Sequence, residues 1–210
     1  SAAQMCIRDS SYTPTQEYVE MFPWSDGTPF NWDETEAEGR LDEMFLTGTF
    51  NDGEQLLSNI VFTRDPRLYE SVIVNGLPGN LGWSSVSVGG DPYELWVGGS
   101  HAGSNSFNET MRYATGYENM KYYLGSSDYL RQNTQWVALR LSDLYLTYAE
   151  ALLQANNDHQ GAVDQIDIVR ARVGLPGLVQ SNPGKRLLTD KDASVSYTHL
   201  RAHETVLDLV

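Results

Sequence analysis

From Trp136 to Pro176 the chain carries two successive helical periods separated by one polar break. Val137, Leu141, Leu144, Tyr148, Ala151 and Leu152 recur at steps of three and four, which is one apolar stripe of an α-helix. Arg140, Asp143, Thr147, Glu150 and Gln154 fall on the opposite face. Asn156 and Asn157 interrupt the pattern, Asp158 is placed to cap a second helix, and a second stripe follows through Ala162, Ile166, Val169 and Val173. Gly174 supplies a left-handed cap, and Pro176 prevents the helix from resuming. The expectation is a mainly α fold built on two antiparallel helices joined by a short turn. Such a hairpin suits any helical repeat or bundle, so the spacing alone names no function.

The charged positions of this hairpin admit two readings. Asp143 and Glu150 lie two turns apart on the first helix, with Arg170 and Arg172 on the second, an arrangement that a catalytic carboxylate pair could use. The architectural reading is that Arg140, Arg170 and Arg172 make forked hydrogen bonds to Asp143, Glu150 and backbone carbonyls and so fix how the helices cross. Ion pairs of this partly buried kind set geometry more than they add stability. The architectural reading is the one carried forward, with Gly174 as the stop.

A chain of 210 residues with 40% hydrophobic and 11% aromatic residues can bury a sizeable core. No apolar run reaches the length of a membrane span. The formal net charge of -14 argues against nucleic acid as a partner, because no basic patch exists to neutralise phosphates. Asp33, Glu34, Glu36, Glu38, Asp42 and Glu43 read as a solvated acidic surface without the ligand spacing of a calcium loop. No P-loop, dinucleotide fingerprint or G-x-S-x-G elbow is present, and no cofactor is implied.

Between Gly76 and Gly103 the chain changes character, with eight glycines and two prolines. So long a loop in a compact domain is usually functional or disordered, and Trp83, Tyr93 and Trp96 count against plain disorder. Flat rings on a loop suit sugars: the C–H face of a pyranose packs on an aromatic plane while Asn or Asp side chains bond its hydroxyls. Asn75, Asn80 and Asp91 are the nearby polar groups. The other reading is that these rings pin the loop to the core. Trp24 and Trp32 have the same two readings, with burial favoured. Leu41, Met44 and Phe45 suggest a short helix, and Tyr69 to Val74 alternates as a short strand would.

The residues of the hairpin also resemble a known family. L-R-L-S-D-L-Y-L-T-Y-A-E-A-L and I-D-I-V-R-A-R-V-G-L-P are similar to the C-terminal helical signature of the SusD/RagB family, in which the first helix reads like "LRyAdvyLmyAEAl" and the second like "lNxVRaRaGLP". Asp167 departs from the pattern, standing where the family usually has Asn, which weakens a local side-chain to backbone bond in expectation. P-T-Q-E-Y-V-E-M-F ahead of the Asp26-Gly27 turn resembles "PTqelvdaf…DG". R-D-P-R-L-Y-E-S-V-I-V-N-G is close to "DPRfyatvlyng", which makes Arg64, Asp65 and Arg67 architectural. M-R-Y-A-T-G-Y-E-N-M-K-Y-Y-L resembles "tGyyxkKy", with Lys121, Tyr122 and Tyr123 extended. The resemblance covers residues 11 to 193.

The opening S-A-A-Q-M-C-I-R-D-S and the closing S-V-S-Y-T-H-L-R-A-H-E-T-V-L-D-L-V resemble translated sequencing-adapter read-through, so residues 1–10 and 194–210 are set aside as foreign. That removes Cys6 and the His199, His203 and Glu204 group from functional reasoning. The resemblance implies an internal fragment of a SusD-like protein: a tetratricopeptide-like helical scaffold with long loops, and apolar helix faces left exposed. It further implies a lipid-anchored protein at the outer membrane of Bacteroidota, capping a SusC-like TonB-dependent transporter. Such a protein captures oligosaccharide with Trp83, Tyr93, Trp96 and Asn80 and breaks no bond. Three alternatives stand beside it. One is a peptide-binding RagB-like member, another a glycoside hydrolase using two carboxylates, and the last a non-catalytic helical interaction scaffold.

Overall fold

The computed structural model describes residues 13–50, 57–77, 93–95, 115–120 and 139–190. The end segments 1–10 and 194–210, Val137, and Lys121, Tyr122 and Tyr123 lie outside the described residues. The chain divides into two compact units, Ser1–Phe22 with Phe30–Asn133, and Pro23–Pro29 with Thr134–Val210. Among the described residues helix outweighs strand.

In the first unit, helix α1 (Gln16–Glu20) begins where the Thr15 hydroxyl accepts from the Tyr18 N–H at 3.3 Å. Helix α2 (Trp32–Ala37) begins where Asn31 Oδ1 accepts from the Glu34 N–H at 3.0 Å, with Asp33 and Glu34 in the first turn facing the positive end of the dipole. Trp32 is thus a helical residue; it is half-buried, and Trp24, outside any helix, is half-buried too. Leu41–Glu43 forms one 3-10 turn, shorter than the helix expected there. Strands β1 (Leu46–Phe50) and β2 (Leu57–Phe62) pair antiparallel in the register Leu46 to Phe62 and Phe50 to Leu57, with the register shifting at Gly48. This hairpin was not expected.

Helix α3 (Pro66–Ser71) follows, and it corrects the expectation of a strand from Tyr69 to Val74. Asp65 is its cap, accepting from the Arg67 N–H at 2.9 Å, and Pro66 sits in the first turn where a missing N–H costs nothing. The local signals therefore commit Tyr69 and Glu70 to helix. Only β3 (Val72–Ile73) is strand, paired antiparallel with β4 (Glu118–Asn119). Val72, Ile73 and Val74 are buried in succession, without the alternation of a half-exposed strand.

Arg64 organises this unit. Its side chain is 1% exposed and donates to the Val19 carbonyl at 2.8 Å, to the Phe22 carbonyl at 2.5 and 3.1 Å and to the Met44 carbonyl at 3.5 Å. Its guanidinium also lies 3.6 Å from the centroid of the Phe30 ring. Asp65, fully buried, pairs with Arg67 at 2.5 Å. The architectural reading of these residues matches that geometry. Around them pack Val19, Phe45, Leu68, Leu77, Tyr93, Leu95 and Tyr117.

The second unit holds the helical hairpin: α4 (Leu141–Asn156) and α5 (His159–Ala171), followed by the single turn α6 (Leu178–Ser181). The break is as expected. Asn157 ends α4 in the left-handed region at φ +50, and Asp158 caps α5 by accepting from the Gly161 N–H at 2.9 Å. Gly174 has φ +79. At the start of α4 the Arg140 N–H donates to Asp143 Oδ2 at 2.9 Å while the Asp143 N–H donates to the Arg140 carbonyl at 3.0 Å.

The buried face of α4 differs from the expected one. Leu146, Ala149 and Leu153 pack with Ala162, Val163, Ile166 and Val169 of α5, whereas Leu141, Leu144 and Tyr148 are 65%, 51% and 55% exposed. Both sets recur at steps of three and four, so periodicity could not choose between them. The structure takes the one with Ala149 in its centre, where a small side chain lets two helix backbones approach.

Candidate functional site

Residues on either side of the glycine-rich segment 78–92 meet within the first unit. Val74 to Leu77 is a β-turn in which the Leu77 N–H donates to the Val74 carbonyl at 3.2 Å and Gly76 takes φ +82, a conformation that a Cβ would penalise. Against this turn lies the returning chain. The Gly76 N–H donates to the Tyr93 carbonyl at 2.8 Å, and the Tyr93 N–H donates to the Leu77 carbonyl at 2.9 Å. The Leu95 N–H then donates to Asn75 Oδ1 at 3.0 Å. Residues 74–77 are thus bonded to residues 93–95.

Burial alternates along the returning chain. Tyr93 and Leu95 face the core and Glu94 between them does not, the period-2 pattern of an extended segment. Tyr93 is 2% exposed, so neither face of its ring is open to a pyranose. Of its two sequence readings, the ring occupies the core. Asn75, a polar candidate from the sequence, is exposed, but its carbonyl oxygen is committed to Leu95. Trp83, Trp96, Asn80 and Asp91 lie outside the described residues.

Two buried phenols in this unit hold their protons tightly. Tyr69 accepts from the Arg64 N–H at 3.1 Å and donates to the Phe45 carbonyl, and burial pushes its pKa up to about 12. Tyr117 donates to Gln16 Oε1 at 2.7 Å and stacks edge-on against Phe45, and burial raises it likewise to about 12. Burial lowers Arg64 to about 10. These groups hold chain segments together.

In the second unit the Arg170 fork reaches backbone, as the architectural reading required, but on a turn distant in sequence. It donates to the Pro176 carbonyl at 2.9 Å, to Ser181 Oγ at 3.0 Å and to the Gly27 carbonyl at 3.4 Å. Ser181 Oγ donates to the Asp26 carbonyl at 3.2 Å. The Asp26-Gly27 turn forms as expected, with the Thr28 N–H donating to Asp26 Oδ1 at 2.9 Å. Asp167 Oδ1 accepts from the Leu178 N–H at 2.7 Å, so the Asp for Asn replacement keeps its backbone bond rather than weakening it. Glu150 is half-buried and Arg172 is exposed.

Among the described residues no group of three His, Cys, Asp or Glu side chains could hold a metal ion. His199, His203, Glu204 and Cys6 lie outside them. Among the described residues no helix is long and apolar enough to cross a membrane.

The model of the SusD family matches residues 8–208. No curated protein gives a significant match. The crystal structure of a SusD-like protein from Bacteroides fragilis is similar in fold, with a TM-score of 0.53 and 22% identity. The match covers 92% of this chain and 35% of that one, so the chain spans about a third of that protein's length. Its mainly helical fold is SusD-like. With a family match running over nearly the whole sequence and a helical hairpin that carries the family's strings, the chain belongs to the SusD family.

Proposed function

We propose that this chain is part of a surface-exposed outer-membrane lipoprotein that captures oligosaccharide and delivers it to a SusC-like TonB-dependent transporter. The observation that carries the reading is membership of the SusD family over residues 8–208. In this reading the protein binds and hands over, with no bond broken, and a lipid anchor holds it to the membrane. Trp83 and Trp96 are the sugar platforms and Asn80 a hydroxyl partner. Tyr93, buried in the core, serves by bonding its backbone to Gly76 and Leu77.

The test is a glycan array followed by calorimetry with the best array member, on the protein and on Trp83→Ala and Trp96→Ala. Binding lost in either variant, with folding kept, supports the reading and locates the site. Binding untouched by both changes moves the site elsewhere. An empty array with peptide binding in its place gives the RagB-like alternative.

A further inference from the structure

The sequence holds one Asn-Gly pair, Asn75-Gly76, and it forms the centre of the turn from Val74 to Leu77. An asparagine followed by glycine loses its side-chain amide with unusual ease, because glycine has no Cβ to shield its main-chain nitrogen. In that reaction the Gly76 nitrogen gives up its proton and bonds to Cγ of Asn75. The Cγ–Nδ2 bond breaks, and the amide group leaves as ammonia with that proton. Solvent water then opens the cyclic imide. Opening at Cγ gives an aspartyl residue, and opening at the main-chain carbonyl of Asn75 gives an isoaspartyl link. Asn75 is exposed, so water has access to it.

Both reacting groups are engaged in the folded chain. The Gly76 N–H donates to the Tyr93 carbonyl at 2.8 Å, and the Asn75 carboxamide oxygen accepts from the Leu95 N–H at 3.0 Å. Tyr93 and Leu95 are buried in the core, so neither partner shifts freely. Attack requires the nitrogen to shed its proton and Cγ to swing toward it, and both bonds have to break first. We infer that Asn75-Gly76 is a deamidation site gated by the fold, reacting through the state in which residues 74–77 have parted from residues 93–95. The two products differ in consequence. The aspartyl residue keeps the acceptor oxygen for Leu95. The isoaspartyl link carries the main chain through Cγ, lengthens it by one methylene and displaces that acceptor, so the junction does not close again in its present register.

The experiment incubates the full chain in mildly alkaline buffer, with and without denaturing guanidinium chloride, and follows conversion at Asn75 by peptide mass spectrometry. Amide hydrogen exchange at Gly76 and Leu95 measures the opening. Expected is conversion at least about tenfold slower in buffer than in denaturant, with Asn75 the fastest asparagine of the denatured chain. Low denaturant should speed conversion and Gly76 exchange by the same factor. Leu95 should exchange fast in the purified isoaspartyl form and as in the unaltered chain in Asn75→Asp. Equal conversion with and without denaturant, or conversion that does not follow Gly76 exchange, overturns the gating. Another asparagine that outruns Asn75 in denaturant overturns the site, and an isoaspartyl form with Leu95 still protected overturns the lasting opening.

Discussion

The Arg170 guanidinium donates to the Gly27 carbonyl at 3.4 Å across 143 positions of sequence, and the Asp26-Gly27 turn is thereby stapled to the end of α5. Gly27 has φ +82, and a Cβ there would sit 2.4 Å from both Arg170 Nη2 and Ser181 Oγ. Gly27→Ala therefore combines left-handed strain with a clash against two groups engaged in hydrogen bonds. We expect a loss of about 2–4 kcal/mol, read by chemical denaturation. A loss below about 0.5 kcal/mol would mean that the staple yields freely.

Arg64 donates to three main-chain carbonyls at once, the buried one of Val19 and the part-buried ones of Phe22 and Met44. Arg64→Met keeps much of the stem volume but leaves these acceptors without their donor. We expect a loss of about 3 kcal/mol or more, or failure to fold. Near-neutral behaviour would show that water can replace the fork.

Tyr69 and Tyr117 release their protons at about 12 in the folded chain, against an ordinary tyrosine value of 10. A raised folded-state pKa adds stability that is complete below about 10 and disappears as pH climbs through about 12. Arg64, lowered to about 10, acts with the opposite sign in the same window, because there the unfolded chain binds the extra proton. Two tyrosines oppose one arginine, so stability should fall between about 10 and 12. The slope should shrink in Tyr69→Phe and Tyr117→Phe. Equal slopes in all three proteins would refute the assignment.

The choice of buried face on α4 is open to a direct contrast. Ala149→Leu overfills the hairpin interface and should cost about 1–3 kcal/mol, whereas Leu144→Ser on the exposed face should change stability by less than about 0.5 kcal/mol. The reverse ordering would restore the stripe of Leu141, Leu144 and Tyr148 as the packed one.

Asp167 offers its carboxylate to the Leu178 N–H at 2.7 Å. An Asn side chain offers the same acceptor. Asp167→Asn should therefore stay within about 0.5 kcal/mol of the starting protein and Asp167→Ala should lose about 1–2 kcal/mol, both by thermal melting. Equal losses would mean that the charge, not the acceptor, holds α6.

What was legible in the sequence was what depends on neighbours in the chain. Asp158 and Gly174 act within a few residues of themselves, and each lies where its chemistry predicts. The packed face of α4 depends on a second helix, and two stripes of identical spacing left it undecided until Ala149 met α5. The β1 and β2 hairpin does carry a sequence signal: Leu-Thr-Gly-Thr-Phe and Leu-Ser-Asn-Ile-Val-Phe lie on either side of a segment that opens with Asn51-Asp52-Gly53, turn-favouring residues. Arg170 was rightly architectural, yet its partners at Gly27 and Ser181 could not be read from spacing, because they lie in other elements. At the site, aromatic content alone could not separate Tyr93, which is core, from its neighbours in sequence.

The bonds of Gly76 and Leu77 to Tyr93 have a further consequence, for how such a chain tolerates changes of length. They join two points of the chain that are 16 residues apart in sequence, so residues added or removed between those points alter the closure entropy only slightly. The entropic penalty of closing a loop grows only with the logarithm of its length. A change of length between residues 77 and 93 is therefore cheap at the closure itself.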